Sequence, residues 1–246
     1  MNVKFFGILI LTIACLGVAS AAVTCPNTGL ATTYVNSDGS LVGGVPPGYV
    51  CDIGNLEFSN FTYAYAPNPG GVAPGDISVS RLGGTETGLK FAGGWIVGGV
   101  NPNANEDSDI SFTVTALNGT SIDDLTIDIT SPQVTGNGIV HYTETFCMTG
   151  GNTCSTFVED TTSSTSSFTS HILLANTPLG GPVTSLTITK DIQLHANGGT
   201  ASVSSFDNTY STSGVPEPRA ISLLLGIGLI GGLALLKRRQ TVTSVQ

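Results

Sequence analysis

Charge is scarce in this sequence. Asp, Glu, Lys and Arg make up 10% of the 246 residues, well below the roughly 25% usual in globular chains. Basic residues are scarcer still, with eight against 17 acids and a net charge of −9. Lys4, Lys237, Arg238 and Arg239 lie at the two extremes, so the long stretch between them carries only Arg81, Lys90, Lys190 and Arg219. So acidic a body repels phosphate backbones, which excludes nucleic acid as a partner. Between the terminal apolar segments there is no helical period of useful length. The G-x-S-x-G elbow and the H-E-x-x-H helix of common hydrolases are also missing. Only His141, His171 and His195 could serve as imidazole bases. The expectation is therefore a protein that is not an enzyme and needs no cofactor, with a secreted hydrolase as an alternative.

What the sequence has instead is 32 glycines, many Ser and Thr, and β-branched residues, a mixture that favours short strands and turns. Ile110, Phe112, Val114 and Ala116 alternate with Ser111, Thr113 and Thr115, the period of a half-buried strand. Leu125, Ile127 and Ile129 alternate with Thr126, Asp128 and Thr130, and Leu186 and Ile188 with Thr187 and Thr189. Leu89, Phe91, Trp95 and Val97 share one phase across Gly93. Further strands are expected over residues 56–65, 76–82, 140–147, 171–175 and 200–206. Turn signals at Asn118-Gly119, Gly150-Gly151 and Asn197-Gly198-Gly199 separate them. About ten strands with this punctuation predict an all-β, antiparallel β-sandwich, jelly-roll-like in its connections. A Ser/Thr-rich stretch over 161–170 reads as a flexible loop or an O-glycan carrier.

Both ends carry membrane signals. Lys4, the apolar run over residues 5–18 and the small residues Ala19-Ser20-Ala21 form a secretory signal with cleavage at Ala19–Ala21. Signal peptidase and the secretion machinery are the partners this implies. Near the C-terminus, residues 220–236 are apolar and Lys237-Arg238-Arg239 follow at once. At 1.5 Å per residue such a helix is roughly 25 Å long, a minimal transmembrane span. Its basic flank stays cytoplasmic by the positive-inside rule, which leaves the body between the two segments outside the membrane.

Just before that span stands Gly214-Val215-Pro216-Glu217-Pro218-Arg219. Two prolines around an acid enforce an extended, helix-incompatible stretch at the membrane surface. The order Val215, Pro216, Glu217, Pro218, then an apolar span rich in Leu and Gly, then the basic stop Lys237, Arg238 and Arg239, resembles the PEP-CTERM sorting domain. The resemblance covers about a tenth of the chain. It implies an exosortase-type membrane enzyme with a Cys nucleophile acting at the motif, in bacteria that make exopolysaccharide and biofilm, so that this chain is the substrate. The body more loosely resembles a recurring kind of PEP-CTERM protein, through Cys51-Asp52-Ile53-Gly54-Asn55-Leu56 leading into Phe58-Ser59-Asn60-Phe61, Glu144 near Cys147, and Lys190-Asp191-Ile192 before Ala201-Ser202-Val203-Ser204. That second likeness implies no activity.

The expected organisation is thus a signal peptide over 1–21, an exported sandwich over 22–210, a linker with the motif over 211–219, a transmembrane helix with its stop over 220–239, and a cytoplasmic tail over 240–246. Export implies oxidation. Once Cys15 leaves with the signal, Cys25, Cys51, Cys147 and Cys154 remain, an even count that reads as two disulfides. Of three pairings, Cys25–Cys51 with Cys147–Cys154 is favoured, because Gly150-Gly151-Asn152 can turn the second pair together. No metal is expected. The oxygen-rich run that includes Asn103, Asn105, Asp107 and Asp109 is the one calcium candidate, and it reads equally well as a turn before a strand. Trp95, Tyr63 and Tyr65 are the aromatic candidates for a glycan platform, although Trp95 lies in phase with core residues. The leading expectation is an exported structural or adhesive protein of the envelope or biofilm matrix, transiently anchored and then at the cell surface. The alternative is a carbohydrate-binding module of the exopolysaccharide.

Overall fold

The computed structural model describes residues 23–36, 48–65, 72–84, 87–99, 101, 103–164 and 167–214. The expected signal cleavage site, sorting motif, span and basic stop lie outside these residues. Among the described residues no helix is long and apolar enough to cross a membrane. The strands are β1 (Thr28–Leu30), β2 (Cys51–Ile53), β3 (Leu56–Tyr65), β4 (Ser78–Leu82), β5 (Thr87–Val97), β6 (Asn105–Ala116), β7 (Thr120–Thr130), β8 (Gln133–Thr135), β9 (Ile139–Met148), β10 (Cys154–Thr161), β11 (Ser167–Leu173), β12 (Ser185–His195) and β13 (Thr200–Gly214). Among the described residues helix is confined to three short 3-10 turns.

The strands form two antiparallel sheets. The first runs β1-β4-β5-β13-β7-β11 with β8 against β13, and the second runs β10-β9-β12-β6-β3-β2. The alternation read in the sequence decides which residues face inward. In β12, Leu186, Ile188, Ile192 and Leu194 are buried while Thr187, Thr189, Asp191, Gln193 and His195 are half-exposed. The Asn-Gly turns at Asn118-Gly119 and Asn197-Gly198 act as corners between the sheets. Asn118 and Gly119 have φ of 56° and 73°, and Asn197 and Gly198 have 46° and 82°, left-handed values that Asn and Gly adopt at little cost. The first carries the chain from β6 to β7, the second from β12 to β13.

Aromatic rings from both sheets meet in the interior. Tyr142 of β9 stacks on Phe206 of β13 with centroids 5.0 Å apart, and Trp95 of β5 meets the same Phe206 edge-on at 5.1 Å. Phe58 and Phe112 of the second sheet approach Tyr210 and Phe91 of the first. Such rings each bury about 150–250 Å² and dominate the packing energy. Backbones come closest at Gly88, where an added Cβ would lie 1.7 Å from the Asn208 carbonyl oxygen. Glycine there is a packing requirement of the β5–β13 contact.

Three expectations change. A strand forms at Cys154–Thr161 that the sequence reading lacked, and the expected 161–170 loop holds the end of β10 and the start of β11. The strand expected at 171–175 is the tail of β11, and a 3-10 turn occupies 174–176. Both β10 and β11 are edge strands of their sheets, and edge strands tolerate polar residues that blur the alternation. Finally, β13 continues to Gly214 against Thr120 of β7, carrying the ladder into the segment expected to be linker.

Candidate functional site

The outer face of the second sheet carries a field of hydrogen-bonding side chains. Its position follows from register. His141 of β9 lies opposite Asp160 of β10 on one side and Gln193 of β12 on the other. Gln193 in turn faces Asp107 of β6, Asp191 faces Asp109, and His195 faces Asn105. Because side chains alternate, all these groups share the outward face. At one end of the face Ile139, His141, Asp160, Thr162, Gln193 and His195 line an open groove of ≈ 340 Å³.

The polar groups of this face are mutually oriented. His141 Nδ1 pairs with Asp160 Oδ1, and His141 Nε2 lies 3.2 Å from Thr143 Oγ1. His195 Nδ1 lies 2.9 Å from Asn105 Oδ1, and Gln193 Nε2 donates to Asp191 Oδ2 at 3.0 Å. The order hydroxyl, imidazole, carboxylate is that of a nucleophilic triad. The side chains of His141 and Asp160 are, however, 31% and 60% exposed, so water reaches the pair and weakens its electrostatics.

Beside the groove, ligand atoms of Asp107, Asp109 and Asp191 lie within 4.8 Å of one another. Partial burial and then the neighbouring Asp191 carboxylate push the Asp107 and Asp109 carboxyls up. These oxygens are the donor type a hard cation takes. Two members of the oxygen-rich run, Asp107 and Asp109, thus come together, and the third carboxylate comes from β12 rather than from the run itself. Asn105 is turned to His195, and the backbone N–H of Asn103 is bonded by Asn101 Oδ1 at 3.3 Å.

The aromatic platform fails for two of its three members. Trp95 and Tyr63 are 0% and 4% exposed, so neither can stack on a ligand. Tyr65 is half-buried and stacked on Tyr63. Both expected disulfides, Cys25–Cys51 and Cys147–Cys154, are present, which fits an oxidising compartment. Of the remaining histidines, His171 lies 3.3 Å from Asp124 on the outer face of the first sheet.

The interior holds a second polar assembly that the sequence reading missed. Lys190 and Glu144, both 0% exposed, are cross-strand neighbours in β12 and β9, and Lys190 Nζ donates to Glu144 Oε2 at 2.6 Å. Nζ also donates to Tyr142 Oη at 2.8 Å, and Tyr142 Oη donates to Glu144 Oε2. From the opposite sheet, Asn208 Nδ2 donates to Glu144 Oε1 at 2.6 Å. Burial pushes the Lys190 amine down, against the pull of Glu144, and pushes the Tyr142 hydroxyl up. Farther along the same interior, Glu106 opposite Leu194 is 1% exposed and accepts from Ser108 Oγ, and Ser108 Oγ lies 2.9 Å from Tyr63 Oη. Burial raises the Glu106 carboxyl to about 7, opposed by the Ser108 hydrogen bond. The signal was available: Glu106, Glu144 and Lys190 stand in the apolar phase of their strands.

No protein-family model and no curated protein matches the chain. Three solved structures show likeness in fold at low similarity. One is TmCBM61 in complex with β-1,4-galactotriose, at TM-score 0.34 and 12% identity over 60% of this chain and 86% of that one. The second is the glycoside hydrolase domain of Endo-D from Streptococcus pneumoniae R6, at TM-score 0.28 and 14% identity over 62% of this chain and 22% of that one. The third is the enzymatically active domain of tailspike protein 4 of bacteriophage CBA120, at 0.26 and 12% over 59% and 19%. The matched region spans about a fifth of the last two chains.

Proposed function

We propose that this chain is a non-enzymatic, exported β-sandwich of the cell envelope or biofilm matrix that binds neutral polysaccharide through the outer face of its second sheet. The observation that carries this reading is the open groove where His141, Asp160, Gln193 and His195 converge, oriented by neighbouring polar groups. A field of paired donors and acceptors suits a polyhydroxylated ligand. The carboxylates Asp107, Asp109, Asp160 and Asp191 on the same face repel an anionic one. Delivery belongs to the same proposal: a signal peptide exports the body, and an exosortase acts at Val215-Pro216-Glu217-Pro218 to release or re-anchor it. The jelly-roll-like description of the sandwich is part of it too.

Affinity electrophoresis of the purified protein through gels cast with neutral polysaccharides tests the binding. Retardation that His141→Ala and Gln193→Ala abolish, with unchanged melting, is expected. Unaltered mobility in every neutral polysaccharide refutes it. The intact mass of protein recovered from cells tests delivery, and a mass that retains residues 220–246 refutes processing at the motif.

A second reading follows from the Thr143–His141–Asp160 order, which favours a hydrolase. Under it, Thr143→Ala abolishes glycan or ester hydrolysis and leaves polysaccharide retention intact. Absence of any hydrolysis by the unaltered protein refutes it.

A further inference from the structure

We propose that Lys190 and Asn208 are joined by an autocatalytic isopeptide bond that covalently staples the two sheets, with Glu144 as the proton-transfer group. The inference stands on the interior of the sandwich and is independent of the groove on its outer face.

The geometry presents one nucleophile, one electrophile and one acid–base group. Lys190 Nζ reaches Glu144 Oε2 at 2.6 Å from the second sheet, and Asn208 Nδ2 reaches Glu144 Oε1 at 2.6 Å from the first. A single carboxylate therefore holds the amine and the amide side by side. Lys190, Glu144 and Asn208 are each 0% exposed, and Tyr142, Phe206 and Tyr210 are buried around them. Among the described residues Asn208 Oδ1 makes no hydrogen bond, and neither does Tyr210 Oη.

Such an environment works against a resting ion pair. Two ions out of water lose hydration that their mutual attraction does not reliably restore. An amide with an unpartnered carbonyl adds a further cost. Burial lowers the Lys190 amine, in the direction that frees its lone pair. Held neighbours also react as though at very high concentration, because translational freedom is already lost.

The step balances without any oxidant or cofactor. A proton moves from the Lys190 ammonium to Glu144 Oε2 along their hydrogen bond, leaving a neutral amine. Its lone pair attacks Asn208 Cγ, the Nζ–Cγ bond forms, and the carbonyl π pair moves onto Oδ1. Glu144 gives a proton to Nδ2 and takes one from Nζ, acting as acid and then base. The carbonyl re-forms as the Cγ–Nδ2 bond breaks, and ammonia departs with the proton that Lys190 first gave up. The second proton, taken from Nζ, then passes from Glu144 to the ammonia to make ammonium. The Lys190 ammonium and the Asn208 primary amide thus become a secondary amide and free ammonium, and Glu144 ends as the carboxylate it began as. Tyr142 Oη, bonded to both Nζ and Glu144, is a positioning residue that holds the two groups in line.

Mass spectrometry of the unaltered protein decides the matter. Purified full chain is unfolded with its disulfides reduced, its intact mass is measured, and it is then cut with chymotrypsin. The expected intact mass is one ammonia below that of the linear reduced chain. The expected digest contains a branched peptide in which Lys190 and Asn208 are linked, the fragments carrying the two residues being otherwise absent. Recovery of both fragments in linear form, with no mass deficit, overturns the proposal. Glu144→Gln, shown folded by its two disulfides and its circular dichroism, is expected to give only linear fragments. A branched peptide in that variant removes Glu144 from the reaction.

Discussion

Glu106→Gln isolates the energetic effect of one buried carboxyl. Glu106 is on the inner face of β6, where its Oε1 accepts from Ser108 Oγ. Burial, assisted by Asp107 and Asp191, raises the group from 4.5 to about 7, against the Ser108 hydrogen bond. Below pH 4.5 folded and unfolded chains both hold the proton, so Glu106 carries no penalty. Between 4.5 and about 7 the unfolded chain ionises while the folded chain does not, and stability falls as pH rises. Above that window both states are ionised and the loss is constant. At 1.36 kcal/mol per pH unit it amounts to about 3 kcal/mol. Gln keeps the shape and the Ser108 contact without ionising. Urea unfolding of both proteins, disulfides intact, at pH 4 and pH 8 provides the assay. Subtraction removes the contributions of the other raised carboxyls, Asp52, Asp107, Asp109 and Asp207, which the two proteins share. The stability of the unaltered protein relative to Glu106→Gln is expected to fall by about 3 kcal/mol between the two pH values. An unchanged difference would refute the reasoning.

The two disulfides should differ in worth. Cys25–Cys51 spans a sequence separation of 26 and Cys147–Cys154 one of 7, so chain entropy gives about 3.5 and about 2.4 kcal/mol respectively. Urea midpoints of Cys25→Ser and Cys147→Ser, each with its partner also changed to Ser, should fall in that order, and the reverse order contradicts the loop argument. Gly88→Ala drives a methyl into the Asn208 carbonyl and should cost about 2–3 kcal/mol by the same assay. A neutral result there would mean that β5 and β13 can separate freely. Trp95 is the single tryptophan and fully buried. Its emission should be blue-shifted in the native state and red-shift in one step with unfolding, and Trp95→Ala should cost about 3–5 kcal/mol. Native emission like that of free tryptophan would place the ring outside the core.

Long central strands were legible because both of their faces have a fixed environment. The expected strand over 56–65 coincides with β3, and the rows containing Ile110 and Leu125 point inward as read. Of the edge strands, β10 was not legible and β11 only at its tail, since only one side of each is paired and alternation loosens. The carboxylate cluster was half legible. Asp107 and Asp109 are close in sequence, but Asp191 reaches them only through the β6–β12 register, which no local pattern encodes. The disulfides were readable from an even cysteine count and a Gly-rich turn. Among the aromatic candidates, phase was the better guide: Trp95 shares the row of Leu89 and Phe91 and is buried with them.

Phase also bears on why so few charges are placed as they are. In a body whose bases are Arg81, Lys90 and Lys190, one of the three is fully buried beside a fully buried Glu144. If that pair were only electrostatic, replacing the centre by apolar residues of similar volume should be neutral or stabilising by about 1–4 kcal/mol. If Lys190 and Asn208 are bonded, the same replacement removes a staple that closes the loop between residues 190 and 208. By the loop-entropy argument used for disulfides, that costs about 3 kcal/mol. Glu144→Leu with Lys190→Met, Asn208→Leu and Tyr142→Phe removes the amine, the amide, the carboxylate and the hydroxyl that holds them. Urea unfolding of this variant against the unaltered protein therefore separates the two accounts by sign. A less stable variant means the interior polar groups do chemistry, and a more stable one means they are an ion pair that the core would be better without.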